Sequence, residues 1–423
     1  MSRSWTLLLL GSGVALLAAL PALLSAGLLN ASIQMLIAAL FACAYSLLAG
    51  RAGLLSFGHA AYFGVGAFAT LHAMNAFAGK GLLPTPLLPL VGAFAGLLVG
   101  LVAGWFATKR SGTTFAMITL AVAELLHSLA PQLKGWFGGE SGISAMRMPA
   151  WGLTFGSTVE VYYLTLAWVL LSLALLHFHG RTPLGRLTLA LRENGHRLKF
   201  LGYDAHGVGL SAFVVSSMFA GIAGGLQAIN NEAANYVVFD ASVSAAVVLN
   251  SYIGGVGSFL GPALGAALMT FFGYAVSDAT RSWLLYQGML FVLVMMFVPV
   301  GLTGLFGAAA RLKARRGWRL AVSVSALAVV ATLCAAAGVV FVVEMLQRLC
   351  SHDYRALAAM GGSWPPIALF GRSWPPGSVA TWLVPAALLA VAGLLGWTAR
   401  RALVSPAVPQ PEAAAIDGQE ALT

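Results

Sequence analysis

Apolar residues run along this chain in blocks of about 20, the length an α-helix needs to cross the hydrocarbon of a bilayer. Polar residues are confined to short intervals between the blocks. The pattern predicts helical spans at 5–29, 31–50, 53–77, 83–108, 112–131, 160–178, 207–230, 240–257, 259–276 and 283–302, with two more at 318–343 and 379–399. The fold class expected is an all-α polytopic membrane protein of about 12 spans. The stretches 53–77 and 240–276 are glycine-rich, and each fits either a continuous span or a broken, re-entrant one. The opening segment, Arg3 followed by an apolar run and small residues, has the outline of a secretory leader. With so many spans behind it, it reads as the first of them.

Composition agrees. The chain has 423 residues, 59% hydrophobic and 9% charged, whereas soluble domains carry about 25% charged residues. The net charge of +10 does not point to nucleic acid, because Lys and Arg sit in short clusters between the blocks, where they set topology. With the N-terminus placed inside, 16 of the 23 fall on the inner side and seven on the outer. Both termini are therefore expected inside. On that orientation 132–158 and 344–378 lie outside, and 179–206 lies inside. The second outer loop carries a Ser-Trp-Pro-Pro doublet, expected to be extended or polyproline-like. The Ala/Pro/Gln/Glu-rich tail from Val404 is expected to be disordered.

Candidate chemistry is sparse. Cys43, Cys334 and Cys350 lack metal-ligand spacing, and no phosphate-binding loop or H-E-x-x-H motif occurs. No metal and no cofactor are expected, and ATP-driven work would need a separate subunit. Gly58, Gly64 and Gly66 fit close helix packing or a substrate route. His59 reads as a packed histidine bonded to a neighbouring carbonyl, or as a polar pathway residue. Glu124 lies deep in the span 112–131, with His127 three residues on as a partner; structural pairing and function both fit. Glu232 and Asp240 read as solvated loop residues. Gly255, Ser258 and Phe259 repeat the spacing of Gly53, Ser56 and Phe57, which fits an internal repeat. The loop helix around "LRENGHRLKFLGYD" is amphipathic and suits either lipid or a protein partner.

Taken together and in order, "AGLLSFGHAAYFGVGAFA", "FAMITLAVAELLHSL", "GGESGI", "LGRLTLALRENGHRLKFLGYD", "SAFVVSSMFAGIAGGLQA", "YIGGVGSFLGPALGAAL" and "VPVGLTGLF" resemble the inner-membrane permease of branched-chain amino acid ABC transporters, of the Liv-M type. The resemblance covers about Asn30 to Phe306. It implies an importer subunit in the bacterial inner membrane, partnered by ATP-binding-cassette ATPases, a second permease subunit and a periplasmic substrate-binding protein, besides membrane lipid. It places ATPase coupling on Arg192, Glu193, Arg197 and Gly202, and makes Ser56, His59, Glu124 and Ser258 translocation-pathway candidates. The chain departs from the family where Gly195, Arg197 and Lys199 replace acidic and small residues, and where Pro299-Val300-Gly301 lacks the usual arginine. The organisation expected is a permease domain at 1–310 with about 10 spans, a two-span extension at 311–400, and a cytoplasmic tail at 401–423. Alternatives are a urea or short-amide permease, a stand-alone secondary transporter using Glu124, and a membrane scaffold.

Overall fold

Helices make up nearly all the regular structure of the computed structural model, which describes residues 3–77, 83–277, 280, 282–298, 300–304, 318–361 and 364–404. Contacts divide the chain into two units, Met1–Gly304 and Leu305–Thr423. Among the described residues seven helices are long and apolar enough to cross a membrane, and shorter apolar helices accompany them. The tail expected to be disordered lies almost wholly outside the described residues.

The first unit holds α1 (Arg3–Leu23), α2 (Ala26–Ser46), α3 (His59–Phe77), α4 (Pro89–Ala107), α5 (Gly112–Leu129), the single turn α6 (Lys134–Phe137), α7 (Thr158–His179), α8 (Pro183–Phe200), α9 (Ala205–Asn231), α10 (Ala241–Gly254), α11 (Gly261–Ser277) and α12 (Trp283–Phe297). The first break falls at Ser25, extended at φ −68° and ψ 160°, earlier than the expected boundary near Asn30. A six-residue π-helix, Leu47–Ala52, continues α2 and ends at Gly53 in the left-handed region. The expected span 53–77 is thus broken: 54–58 is non-helical, and α3 starts only at His59. The 240–276 region is a hairpin of two short helices. Gly254 lies against Gly261 and Gly265 against Asn250, with the turn made at Gly255 (φ +104°). At 1.5 Å per residue α10 is about 21 Å long, short of the ~30 Å hydrocarbon core.

Helix α9 packs against α2, α3 and α4 at the centre. A methyl group on Gly221 would overlap the Gly92 carbonyl, and one on Gly66 would overlap the Gly221 backbone. In lipid, helix association rests on such close van der Waals contact, because the hydrophobic effect has already been satisfied by insertion. Gly58 likewise lies on the Thr119 carbonyl and Gly64 on the Phe239 ring.

At one end of this bundle, β1 (Ile143–Ser144) pairs antiparallel with β2 (Ala233–Ala234), joining the loop after α6 to the loop after α9. Arg147 reinforces the join, its Nε and backbone N–H both donating to Glu232 Oε1 at 3.0 and 2.9 Å. Glu232 is therefore an ion-pair partner, not simply a solvated loop residue.

The second unit contains α13 (Trp318–Cys350), α14 (His352–Gly361) and α15 (Val379–Val404). The Trp-Pro-Pro doublet flanks a β-hairpin, β3 (Ile367–Leu369) paired with β4 (Arg372–Trp374). Phe370 and Gly371 form its turn with φ of 52° and 74°, the signs that let a two-residue turn match strand twist. Ile367, Leu369 and Trp374 pack on Met345 of α13.

Candidate functional site

The largely apolar helices α2, α3, α9, α10 and α11 enclose a cavity of about 360 Å3. Its polar lining comes from Gln34, Gln227, Asn231, Asn235, Asn250 and Thr270, its apolar wall chiefly from Ile37, Phe41, Phe63 and Val238. None of the lining residues carries a formal charge. Carboxamides organise the mouth: Gln34 Nε2 donates to Asn231 Oδ1 at 3.3 Å, and Asn230 Nδ2 donates to the same oxygen at 3.0 Å and to Asn30 Oδ1 at 3.1 Å. Each amide both donates and accepts, so the lining can meet either sign of a small polar solute without a fixed ion. The cavity uses the middle of α2, the last turns of α9 and the loop that follows α9. It therefore lies at the end of the bundle opposite α8, which contacts the π-helix and α9. These amides escaped the sequence reading. The signal was present, since an amide inside an apolar span turns inward to find partners.

His59 lies beneath the aromatic wall, fully buried, its ring centroid 6.2 Å from that of Phe41. Ser216 donates its hydroxyl proton to the Ala44 carbonyl at 2.6 Å, so its oxygen accepts from His59 Nε2–H at 2.7 Å. The network assigns Nδ1 as the acceptor, and the Ser56 hydroxyl stands 3.3 Å from it as donor. The expected bond from histidine to carbonyl is thus made through a serine. Tyr45, Tyr62 and Phe213 make T-shaped contacts with the imidazole, ring centroids 5.4, 5.5 and 6.2 Å away. Ser56 and His59 form one buried cluster next to the cavity without lining it.

Ser258 is elsewhere. It caps α11 by accepting from Gly261 N–H at 3.0 Å and bonds Thr303 Oγ1 at 3.0 Å. Glu124 is exposed on α5, outside the cavity lining. His127 does not pair with it; His127 Nε2 faces Asp240 Oδ2 at 3.8 Å across the α9–α10 loop. Asp240 is not a free solvated residue either. It caps α10 by accepting from Ser242 N–H at 2.7 Å, and its bonds to Ser242, with His127 nearby, hold its carboxyl below the ordinary value.

At the far end, Asn194 (φ −162°, ψ 99°) interrupts α8 and caps its second part, Oδ1 accepting from Arg197 N–H at 3.0 Å. Arg192 donates to the Gly50 carbonyl of the π-helix, its stem lying over Gly53. Arg51, from the same π-helix, donates to the Gly180 carbonyl at 2.7 Å. Two arginines running in opposite directions thus fasten α8 and its leading turn to the π-helix. Glu193 and the Arg197 side chain are exposed. Gly202 (φ +84°) ends α8: its N–H bonds Lys199 O at 2.9 Å and Tyr203 N–H bonds Leu198 O at 3.2 Å, the paired closure of a left-handed helix cap.

Residues 27–299 match the family described as branched-chain amino acid transport system, permease component. The chain is 30% identical over 307 residues to the high-affinity branched-chain amino acid transport system permease protein LivM of Salmonella typhimurium, covering 67% of this chain and 71% of that protein. It is 28% identical over the same length to the protein of that name from Escherichia coli, with the same coverage of each chain. No solved structure matches.

Proposed function

The chain belongs to the permease-component family of branched-chain amino acid transport systems, and from that premise we propose that it forms a translocation pathway of an ATP-driven importer in the inner membrane. It is a transport subunit, and its ATP hydrolysis comes from separate ATP-binding-cassette subunits docked on α8. A second permease subunit completes the membrane part, and a periplasmic binding protein delivers the solute at the cavity end. The termini lie in the cytoplasm.

One observation carries this reading: the uncharged, amide-lined and aromatic-walled cavity among the helices that match the family. A branched-chain amino acid is a zwitterion with a compact apolar side chain. Gln34, Gln227 and Asn250 offer hydrogen bonds to both of its ends, while Ile37, Phe41 and Phe63 accept the side chain. A neutral hydrogen bond contributes about 0.5–1.5 kcal/mol, enough to replace water without trapping the solute. Urea or a short amide would use the same amides but leave the apolar wall unmatched. A secondary transporter would need a coupling carboxylate in the pathway, and Glu124 lies outside this one.

The coupling assignment rests on Arg192, Glu193, Arg197 and Gly202, with Ser56 and His59 one step further along the chain from the π-helix. Co-purification with two ATPases, followed by leucine uptake in proteoliposomes with binding protein and ATP, tests the proposal. Arg192→Glu is expected to abolish ATP-driven uptake while the chain stays in the membrane, because reversing that charge breaks the tie between α8 and Gly50. Normal uptake in the variant would remove α8 from the coupling route, and uptake of urea in preference to leucine would reassign the solute.

A further inference from the structure

On the α8 side of the bundle, a cleft of about 820 Å3 opens between α8 and the turn joining α4 to α5. Lys109, Arg110, Arg192, Lys199 and His206 line it, and Asp204 is the one carboxylate in that lining. Asp204 is already engaged in capping α9, its two oxygens accepting from His206 and Gly207 N–H at 3.0 and 2.9 Å. His206 holds Thr108 Oγ1 through Nδ1 at 3.1 Å, while its Nε2 has no hydrogen-bond partner among the described residues. The cleft therefore presents several cationic donors and little counter-charge.

A second, apolar groove of about 450 Å3 shares Gly53 with the cleft. Leu55, Phe57, Ala116, Met117 and Leu120 line it. From Gly112 to Leu120 it follows α5 for about two turns, roughly 12 Å at 1.5 Å per residue, away from the charged end. Beside the cleft, Trp105 and Phe106 are exposed, with Lys109 Nζ 5.2 Å above the Trp105 ring. Exposed aromatics next to lysine mark the level where hydrocarbon meets headgroups.

We propose that the cleft and groove together bind one anionic phospholipid, its phosphate held by Lys109 and Arg110 in the cleft and one acyl chain laid along α5. The pairing of the two features selects this ligand. A soluble anion would fill the charged cleft and leave the groove empty. An acidic protein surface would cover the cleft without reaching two turns down a membrane helix. Arginine and lysine suit a phosphate because their donors make short, charge-assisted bonds. Because Arg192 lines the cleft and also holds the π-helix, the lipid sits against the segment that leads from α2 to α3.

The test uses the full chain with the subunits it carries, purified in mild detergent and transferred to nanodiscs of phosphatidylcholine with or without phosphatidylglycerol. Retained lipid is quantified by native mass spectrometry. The chain is expected to hold phosphatidylglycerol in preference to phosphatidylcholine. Lys109→Gln with Arg110→Gln should lower that retention by about tenfold, the scale of losing charge-assisted contacts. Met117→Asn should weaken binding of the long-chain lipid more than that of a short-chain phosphatidylglycerol. Lys109→Gln alone serves if the double variant does not fold. Unchanged retention in the basic-cleft variants overturns the proposal. So does complete displacement of the lipid by inorganic phosphate, which would make this a soluble-anion site. Loss of ATPase subunits with lipid retention intact would also overturn it, and would make the cleft a protein-docking face.

Discussion

Ser216 sits at the join of a hydrogen-bond chain that runs from the Ser56 hydroxyl through His59 to the Ala44 carbonyl. Removing its hydroxyl leaves His59 Nε2–H and the Ala44 carbonyl without that partner in a buried setting. An unsatisfied buried polar group costs about 1–3 kcal/mol, so Ser216→Ala should lower thermal stability in detergent by that amount while the helix content by circular dichroism is unchanged. An unaltered melting curve would mean that water replaces the hydroxyl. The histidine was visible in the sequence because it is a lone polar residue in "SFGHAAYF". Its partner was not, since 157 residues separate them and only tertiary packing brings Ser216 to the ring. Glu124 shows the converse. Its depth in an apolar run was legible, but not which way its face of α5 turns, and the structure leaves it exposed while His127 goes to Asp240. Depth follows from hydropathy, whereas the facing of a side chain depends on which neighbours its helix acquires.

Elements follow the hydrophobic blocks closely where a block is long and uniform, as in α4, α7 and α9. They depart where glycine changes the backbone. The helix expected from residue 53 starts only at His59, and the pair expected at 240–257 and 259–276 is shortened to Ala241–Gly254 and Gly261–Ser277. Each gap opens at a glycine with positive φ, Gly53 and Gly255, and in each case a serine three residues on lies just before the next helix. Ser56 turns to His59 and Ser258 caps α11, so the repeated spacing seen in the sequence corresponds to two similar turns with different hydrogen bonds. The π-helix was not legible, because its wider turn is held in part by Arg192 from a distant element. The start of α10 carries a pH signature. Asp240 has its carboxyl pKa lowered by its bonds to Ser242 and by His127, so its folded value lies below its unfolded one. Its contribution is then present above the unfolded carboxylate value of about 3.9 and is lost as pH falls through the folded value. Thermal stability should therefore drop on acidification below about pH 4, and Asp240→Asn should flatten that part of the profile. An identical acid limb in the variant would assign the loss to other carboxylates.

At the scale of the molecule, the family match ends at residue 299 and the first compact unit at Gly304, so the helices that carry the cavity, the His59 cluster and α8 all belong to one unit. The second unit has its own apolar cluster around Met345, Ile367 and Leu369, with the flank of Gly338 in α13 meeting Leu389 of α15. Clusters built wholly from one unit's residues are the mark of parts that keep their internal packing when separated. The helices of the first unit were thus largely legible from its hydrophobic blocks. The doublet in the second unit read as extended chain but gave no sign of the hairpin, whose turn needs the positive φ of Phe370 and Gly371. Ending the chain after Gly304 should leave the remaining chain inserted, still bound to its ATPases, and able to take up leucine at close to the full-length rate. Uptake into proteoliposomes with binding protein present measures this directly. If the shortened chain inserts but no longer holds its ATPases or second permease subunit, the added helices are an assembly element. If it assembles but its rate falls at low concentrations of binding protein and recovers at high ones, the hairpin between α13 and α15 helps to receive the delivered solute.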